Sequence, residues 1–129
     1  MNSLAKSTVL LLVLAAAGCG GTEQTPYITS WTSPFTYMQG GTTQSFPVVL
    51  SMAVKDKTYI DIAVNPGDEQ YVSTAWHGTA SQYIIIAANA NSESVDITAH
   101  SVTSNVTVTL AFKIRDSKES RTFSFEIRP

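Results

Sequence analysis

Few side chains in this sequence are of a type that does covalent or metal chemistry. One thiol, Cys19, and two imidazoles, His77 and His100, make up the sulfur and imidazole ligand set. The histidines are 23 residues apart, without the short spacing that brings two imidazoles to one metal. Asp68, Glu69 or Asp96 would complete a site with them only if folding made their strands neighbours, and two solvent-facing histidines are the expectation. Asp68 and Glu69 follow Pro66-Gly67 in a turn, where carboxylates face water or bond local amides. They lack the alternating oxygen ligands of a calcium loop. There is no Gly-x-Ser-x-Gly elbow, and Gly20-Gly21 and Gly40-Gly41 have neither the spacing nor the lysine of a phosphate loop. No catalytic residue, metal or cofactor is expected. For binding, Trp76-His77-Gly78 is the first place to look, because a rigid ring, an imidazole and a flexible glycine meet at a predicted loop. Tyr71 is the further candidate, and Trp31 and Tyr37 lie in runs of ambiguous phase. A tryptophan at the edge of a core would look the same.

The surroundings of Cys19 give it a different use. Lys6 supplies a positive start, Val9 to Ala17 form an apolar run of nine residues, and Ala16-Ala17-Gly18 precede the cysteine. Spanning a bilayer takes about 20 apolar residues, so the run is the length of a cleaved leader. The arrangement resembles the signal peptide of bacterial lipoproteins, with Ala16 where leucine is usual. The resemblance implies cleavage before Cys19 and acylation of its thiol, so that residues 1–18 are leader and 19–26 a lipidated cysteine with a polar, glycine-containing tether. It further implies a lipid-anchored protein of the bacterial cell envelope. Gly20, where aspartate would signal inner-membrane retention, points to the outer membrane.

Residues 19–129 are one domain's worth of chain. Without Lys6, seven Lys and Arg face ten Asp and Glu, a formal charge of −3. That balance, with no basic run, gives no footprint for nucleic acid or for anionic lipid. A single cysteine allows no disulfide within the chain, so packing must hold the fold.

From Tyr27 on, short runs rich in Val, Ile, Thr, Tyr and Phe alternate with period two. Phe46, Val48, Leu50 and Met52 share a face, and Pro47 marks an edge or bulge. Ile60, Ile62 and Val64 oppose Tyr59, Asp61 and Ala63, and Asn65-Pro66-Gly67-Asp68 ends the run. Tyr71 to Trp76 and Gln82 to Ala88 follow, the latter apolar on both faces and suited to a position between layers or under a loop. Val95, Ile97 and Ala99 precede the strongest run, Val106, Val108, Leu110, Phe112 and Ile114, which turns at Arg115 to Glu119 into Phe123, Phe125 and Ile127. About seven to eight strands predict an all-β antiparallel sandwich over 27–129. A jelly roll or small barrel would share the pattern. The stretch Ser94 to Arg128 resembles the C-terminal half of bacterial immunoglobulin-like domains, where a long alternating strand ends in Asp, here Asp116, before a final paired strand. That likeness implies an immunoglobulin-like β-sandwich with Asp116 bonding turn amides. The expected function is non-enzymatic: a binding or scaffolding module for another envelope protein, working through an exposed sheet edge. A glycan- or surface-binding adhesin is the alternative, and a small hydrolase the more distant one.

Overall fold

The computed structural model describes residues 25–31 and 35–129; Cys19 and the leader lie outside them. The strands are β1 (Tyr37–Gln39), β2 (Thr43–Val49), β3 (Thr58–Val64), β4 (Val72–Trp76), β5 (Thr79–Ala80), β6 (Tyr83–Ile86), β7 (Ser92–Ala99), β8 (Val106–Ile114) and β9 (Ser120–Arg128). They form a five-stranded sheet, β1-β9-β8-β3-β6, and a four-stranded sheet, β2-β7-β4-β5. The alternation predicts the buried face correctly. Ile60 and Ile62, Val95, Ile97 and Ala99, Val108 to Ile114 in steps of two, and Phe123, Phe125 and Ile127 all point into one core between the sheets.

Hydrogen bonds place Tyr27–Thr29 beside the end of β2, with Thr29 N donating to Val49 O and Ser51 N to Tyr27 O, each at 2.9 Å. That segment with β2, β7 and β4 fills the A-B-E-D positions of an immunoglobulin-like sandwich, and β3, β8 and β9 fill C-F-G. The fold is an immunoglobulin-like, all-β sandwich. Both lateral openings are closed by chain that changes sheets, a known way of making a sandwich corner. On one side the chain borders β2 at Tyr27–Thr29 and then runs parallel to β9 as β1. On the other, β5 pairs with β4 and β6 pairs with β3. The strand beside β3 therefore arrives after β4, as the return of the β4–β5 hairpin.

Three local expectations change. Tyr83 to Ile86 is an edge strand, not one held between layers: Ile84 and Ile86 are buried, whereas Ile85 is half-buried and Tyr83 exposed on the outer side. In the turn after β8, the hydroxyl of Ser117 accepts the Glu119 amide at 2.9 Å, while Asp116 takes the left-handed conformation at φ 64°. Asp116 thus serves the turn through its backbone, a conformation that Asp tolerates better than most residues. At the Asn65–Asp68 turn, closed by Asp68 N to Asn65 O at 2.9 Å, Gly67 adopts φ 92° after Pro66. Glu69 accepts the local Gly67 amide at 2.8 Å, but Asp68 reaches across to the Thr109 amide of β8 at 3.1 Å. It ties the turn to the neighbouring strand.

Candidate functional site

The hairpin joining β4 to β5 turns on two residues, His77 and Gly78, at φ 51° and 79°. Positive φ at both central positions is the two-residue hairpin geometry whose twist suits the strands, normally filled by Asn-Gly or Asp-Gly. Histidine in the first place is costlier, and it puts an imidazole on the indole of Trp76, with ring centroids 4.4 Å apart. Trp76 continues the row: its ring is 6.2 Å from that of Tyr83 on β6, and Tyr83 is 5.5 Å from Tyr59 on β3. The β3–β6 register aligns Tyr59 with Ile85 and Asp61 with Tyr83, which brings both tyrosines to the outer face.

Charged groups flank this row, Lys57 among them with its Nζ 5.8 Å from the Tyr59 ring centroid. Arg115 grips Asp61 with Nη2 to Oδ1 at 2.6 Å and Nε to Oδ2 at 3.2 Å. The same guanidinium lies 4.3 Å from the Tyr59 ring centroid and 5.4 Å from that of Tyr83. The hydrogen bond that Arg115 donates to Asp61, helped by the carboxylate charge, raises the Arg115 pKa above the ordinary arginine value. At the other end Glu93 accepts the Trp76 indole N–H at 3.1 Å and faces His77 Nε2 at 3.5 Å through the same oxygen. Its second oxygen accepts the Ser94 amide at 3.1 Å. Between these ends Trp76, His77, Thr79, Ala80, Ser81, Gln82 and Tyr83 line a shallow groove of about 550 Å³. Thr79, Gln82 and Tyr83 are exposed along it.

Of the sequence candidates, Trp76 and His77 meet in this groove. Tyr71 does not: it precedes the far end of β4, where its carbonyl accepts the His100 amide at 2.8 Å. His100 sits there too, with Nδ1 2.8 Å from Gln70 O and Nε2 3.2 Å from Ser73 Oγ, so the histidines occupy opposite ends of β4. Among the described residues no three His, Cys, Asp or Glu side chains gather as a metal would need. Tyr37 carries Arg128 over its ring at 3.8 Å. Trp31 packs against Phe46, Phe112 and Phe123 at 4.9–6.3 Å and donates its N–H to Thr122 O at 2.7 Å. Tyr59, Tyr83, Glu93 and Arg115 were not singled out by sequence. The outward phase of Tyr59 was legible, but its meeting with Tyr83 depends on the β3–β6 register.

The sheet edges are blunted, each in its own way. Ile62 N donates to Gln82 O at 2.8 Å, which by the alternation of an antiparallel ladder turns the Tyr83 and Ile85 backbone groups outward on β6. The Ser81 hydroxyl covers those of Tyr83, accepting its N–H at 3.2 Å and donating to its C=O at 2.6 Å. On β2 the bond from Leu50 N to Asn91 O at 2.7 Å makes Leu50, Val48 and Phe46 the positions bonded to β7, so Pro47 points its missing N–H away from β7. The edge reading of Pro47 holds. β1 and β5 are three and two residues long.

No protein-family model matches the sequence. No curated protein sequence matches it either. Among solved structures, the chain is similar to a two-domain protein of unknown function from Bacteroides fragilis, at 9% identity and a TM-score of 0.57 over 80% of this chain. The match covers 44% of that protein, so this chain spans less than half its length. It is also similar to SSP-19, an MSP-domain protein like family member in Caenorhabditis elegans, at 12% identity and a TM-score of 0.46, covering 72% of this chain and 92% of that one. These likenesses concern the fold alone.

Proposed function

We propose that this protein is a lipid-anchored cell-envelope module that binds another envelope or surface component without catalysing a reaction. The lipid on Cys19 would hold it at the outer membrane, and the groove at the β4–β5 hairpin would face its partner. The observation that carries the reading is the row of Tyr59, Tyr83, Trp76 and His77, which runs from an indole half-buried against the core to the exposed His77 and Tyr83 and is flanked by the Asp61–Arg115 pair and the Glu93 carboxylate. Rigid rings offer contact area at little entropic cost. Binding by side chains also fits the blunted edges better than addition of a partner strand does.

A photo-reactive side chain in the groove tests this in intact cells. Tyr83→p-benzoylphenylalanine should form an adduct on irradiation with one envelope component, and adding Trp76→Ala should abolish it. Absence of any adduct, or one indifferent to Trp76, sinks the reading. Cys19→Ser should block acylation and release the protein from membranes; unchanged fractionation contradicts the anchor.

The contact of His77 with Glu93 favours one other reading, a small hydrolase with an imidazole–carboxylate pair. The Ser81 hydroxyl of the groove is engaged with the Tyr83 backbone, and neither it nor Thr79 bonds the imidazole among the described residues. Ester or glycoside turnover abolished by His77→Gln would establish that alternative.

A further inference from the structure

The chemistry of the groove narrows what it would hold. A pyranose has an apolar C–H face, which packs on an aromatic ring, and a rim of hydroxyls that need donors and acceptors beside that ring. Trp76 and Tyr83 meet at 54° and both border the groove, so their faces supply the first requirement. Thr79 and Gln82 supply the second: both are exposed on the groove, and neither side chain has a hydrogen-bond partner among the described residues.

Charge points the same way. From Thr79 to Tyr83 the groove carries no ionisable acid or base other than the tyrosine itself, and Arg115, beside Tyr83, is paired with Asp61. A sulfated or sialylated ligand would find no unpaired cation there, so a neutral one fits. A peptide strand would need the outward N–H and C=O of Tyr83, and the Ser81 hydroxyl already holds both. His77, at φ 51°, meets the requirement of the hairpin itself and sets a second ring beside Trp76. At about 550 Å³ the groove has room for one or two sugar rings.

We infer that the groove between Trp76, His77 and Tyr83 binds a neutral saccharide unit, stacked on the Trp76 and Tyr83 rings and hydrogen-bonded by Gln82 and Thr79. This rests on the domain being a binding module and names its ligand class. Asp61 and Arg115 act as positioning residues, setting the tilt of Tyr83 from behind.

The full-length protein in detergent, applied to an array of neutral, sialylated and sulfated glycans with a Pro-rich peptide as a further probe, tests the inference. Neutral glycans should bind, and the strongest of them should titrate tryptophan fluorescence to saturation. Tyr83→Ala should weaken that binding by about tenfold or more and Gln82→Ala by about threefold, the loss expected when one of a few anchoring contacts is removed. Tyr71→Ala, at the far end of β4, should leave it within about twofold, as a side chain outside the contact should. Both groove residues substituted are exposed, so folding of these variants is not at stake, and circular dichroism checks it. No neutral glycan bound, binding of charged glycans alone, binding indifferent to Tyr83 and Gln82, or capture of the Pro-rich peptide in the groove would each overturn the saccharide assignment. A blank array beside a Trp76-dependent adduct in cells would end the assignment while leaving the binding module standing.

Discussion

The two tryptophans occupy equivalent places and do opposite things. Each lies where the chain changes sheets and closes one side of the sandwich, Trp31 beside β9 and Trp76 beside β6. Trp31 turns inward: three phenylalanine rings surround it, and its N–H is spent on the backbone of β9. Nearby, Glu119 accepts the Ile28 amide at 3.1 Å and Arg121 Nε donates to Ile28 O at 3.2 Å, so the whole segment is sewn down. Trp76 is also half-buried against the core, but its ring neighbours are His77 and Tyr83, and its free side borders a groove. One lateral closure is filled by its own aromatic residue; the other is closed by backbone pairing and leaves its rings available. Residue type and topology are alike at the two tryptophans, and what differs is the ring neighbours on the side away from the core.

The sharpest way to break this comparison is to cut the inward side. Trp31→Ala removes a ring packed on three others and should cost about 3 kcal/mol of stability, toward the low end for such truncations because the residue is only half-buried. For a domain of this size that lowers the melting temperature by about 12–20 °C, measurable by calorimetry. If the melting temperature hardly moves, Trp31 is not a core residue and the contrast fails. Gly40 is the next test, since a β-carbon there would stand 3.0 Å from His100 O and 3.0 Å from Ser101 Cα, both backbone atoms that cannot swing aside. Gly40→Ala should cost about 1–3 kcal/mol, the usual range for overpacking, read from urea unfolding. An unchanged midpoint would mean that the junction between β1 and β2 is looser than its hydrogen bonds to Ala99 and Arg128 imply.

On the outward side the expected effects on stability are smaller. Trp76→Ala should lower the unfolding free energy by about 1–2 kcal/mol, since the ring packs on the core, yet less than Trp31→Ala because its ring neighbours, His77 and Tyr83, are exposed. Smallest of all, His77→Gly relieves a left-handed side chain and should raise stability by about 1 kcal/mol or less, while weakening whatever the groove binds. Loss of stability in this variant would show that the imidazole is a structural contact and not a retained cost.

Much of the fold was legible because burial repeats with period two. The inward sets of β3, β7, β8 and β9 could be read directly, and Pro47 announced an edge. The pairings were not legible where they join distant segments through short strands. β1 has three residues and lies parallel to β9 across most of the chain, which leaves no local signal. β6 looked interior because four apolar residues in a row resemble a strand covered on both faces, yet at a sheet edge its outer pair, Tyr83 and Ile85, can rest on Tyr59 and the Arg115 stem. The site divides in the same way. Trp76-His77-Gly78 stood out as a ring, an imidazole and a glycine at a turn. Tyr71 was drawn in by nearness in sequence, although five extended residues carry it about 16 Å from Trp76. Tyr59, Tyr83, Glu93 and Arg115 come from four separate strands or turns, and only the register assembles them. Cys19 and its leader remain a reading of sequence, outside the described residues.

One paired measurement bears on the contrast most directly: urea unfolding and neutral-glycan binding, both recorded for Trp31→Ala and for Trp76→Ala in the full-length protein. Trp31→Ala should unfold at much lower urea while its folded fraction still binds, and Trp76→Ala should keep a midpoint closer to that of the parent and lose binding. Equal destabilisation by the two, or binding that survives Trp76→Ala and fails with Trp31→Ala, would contradict the assignment of one tryptophan to the core and the other to the ligand.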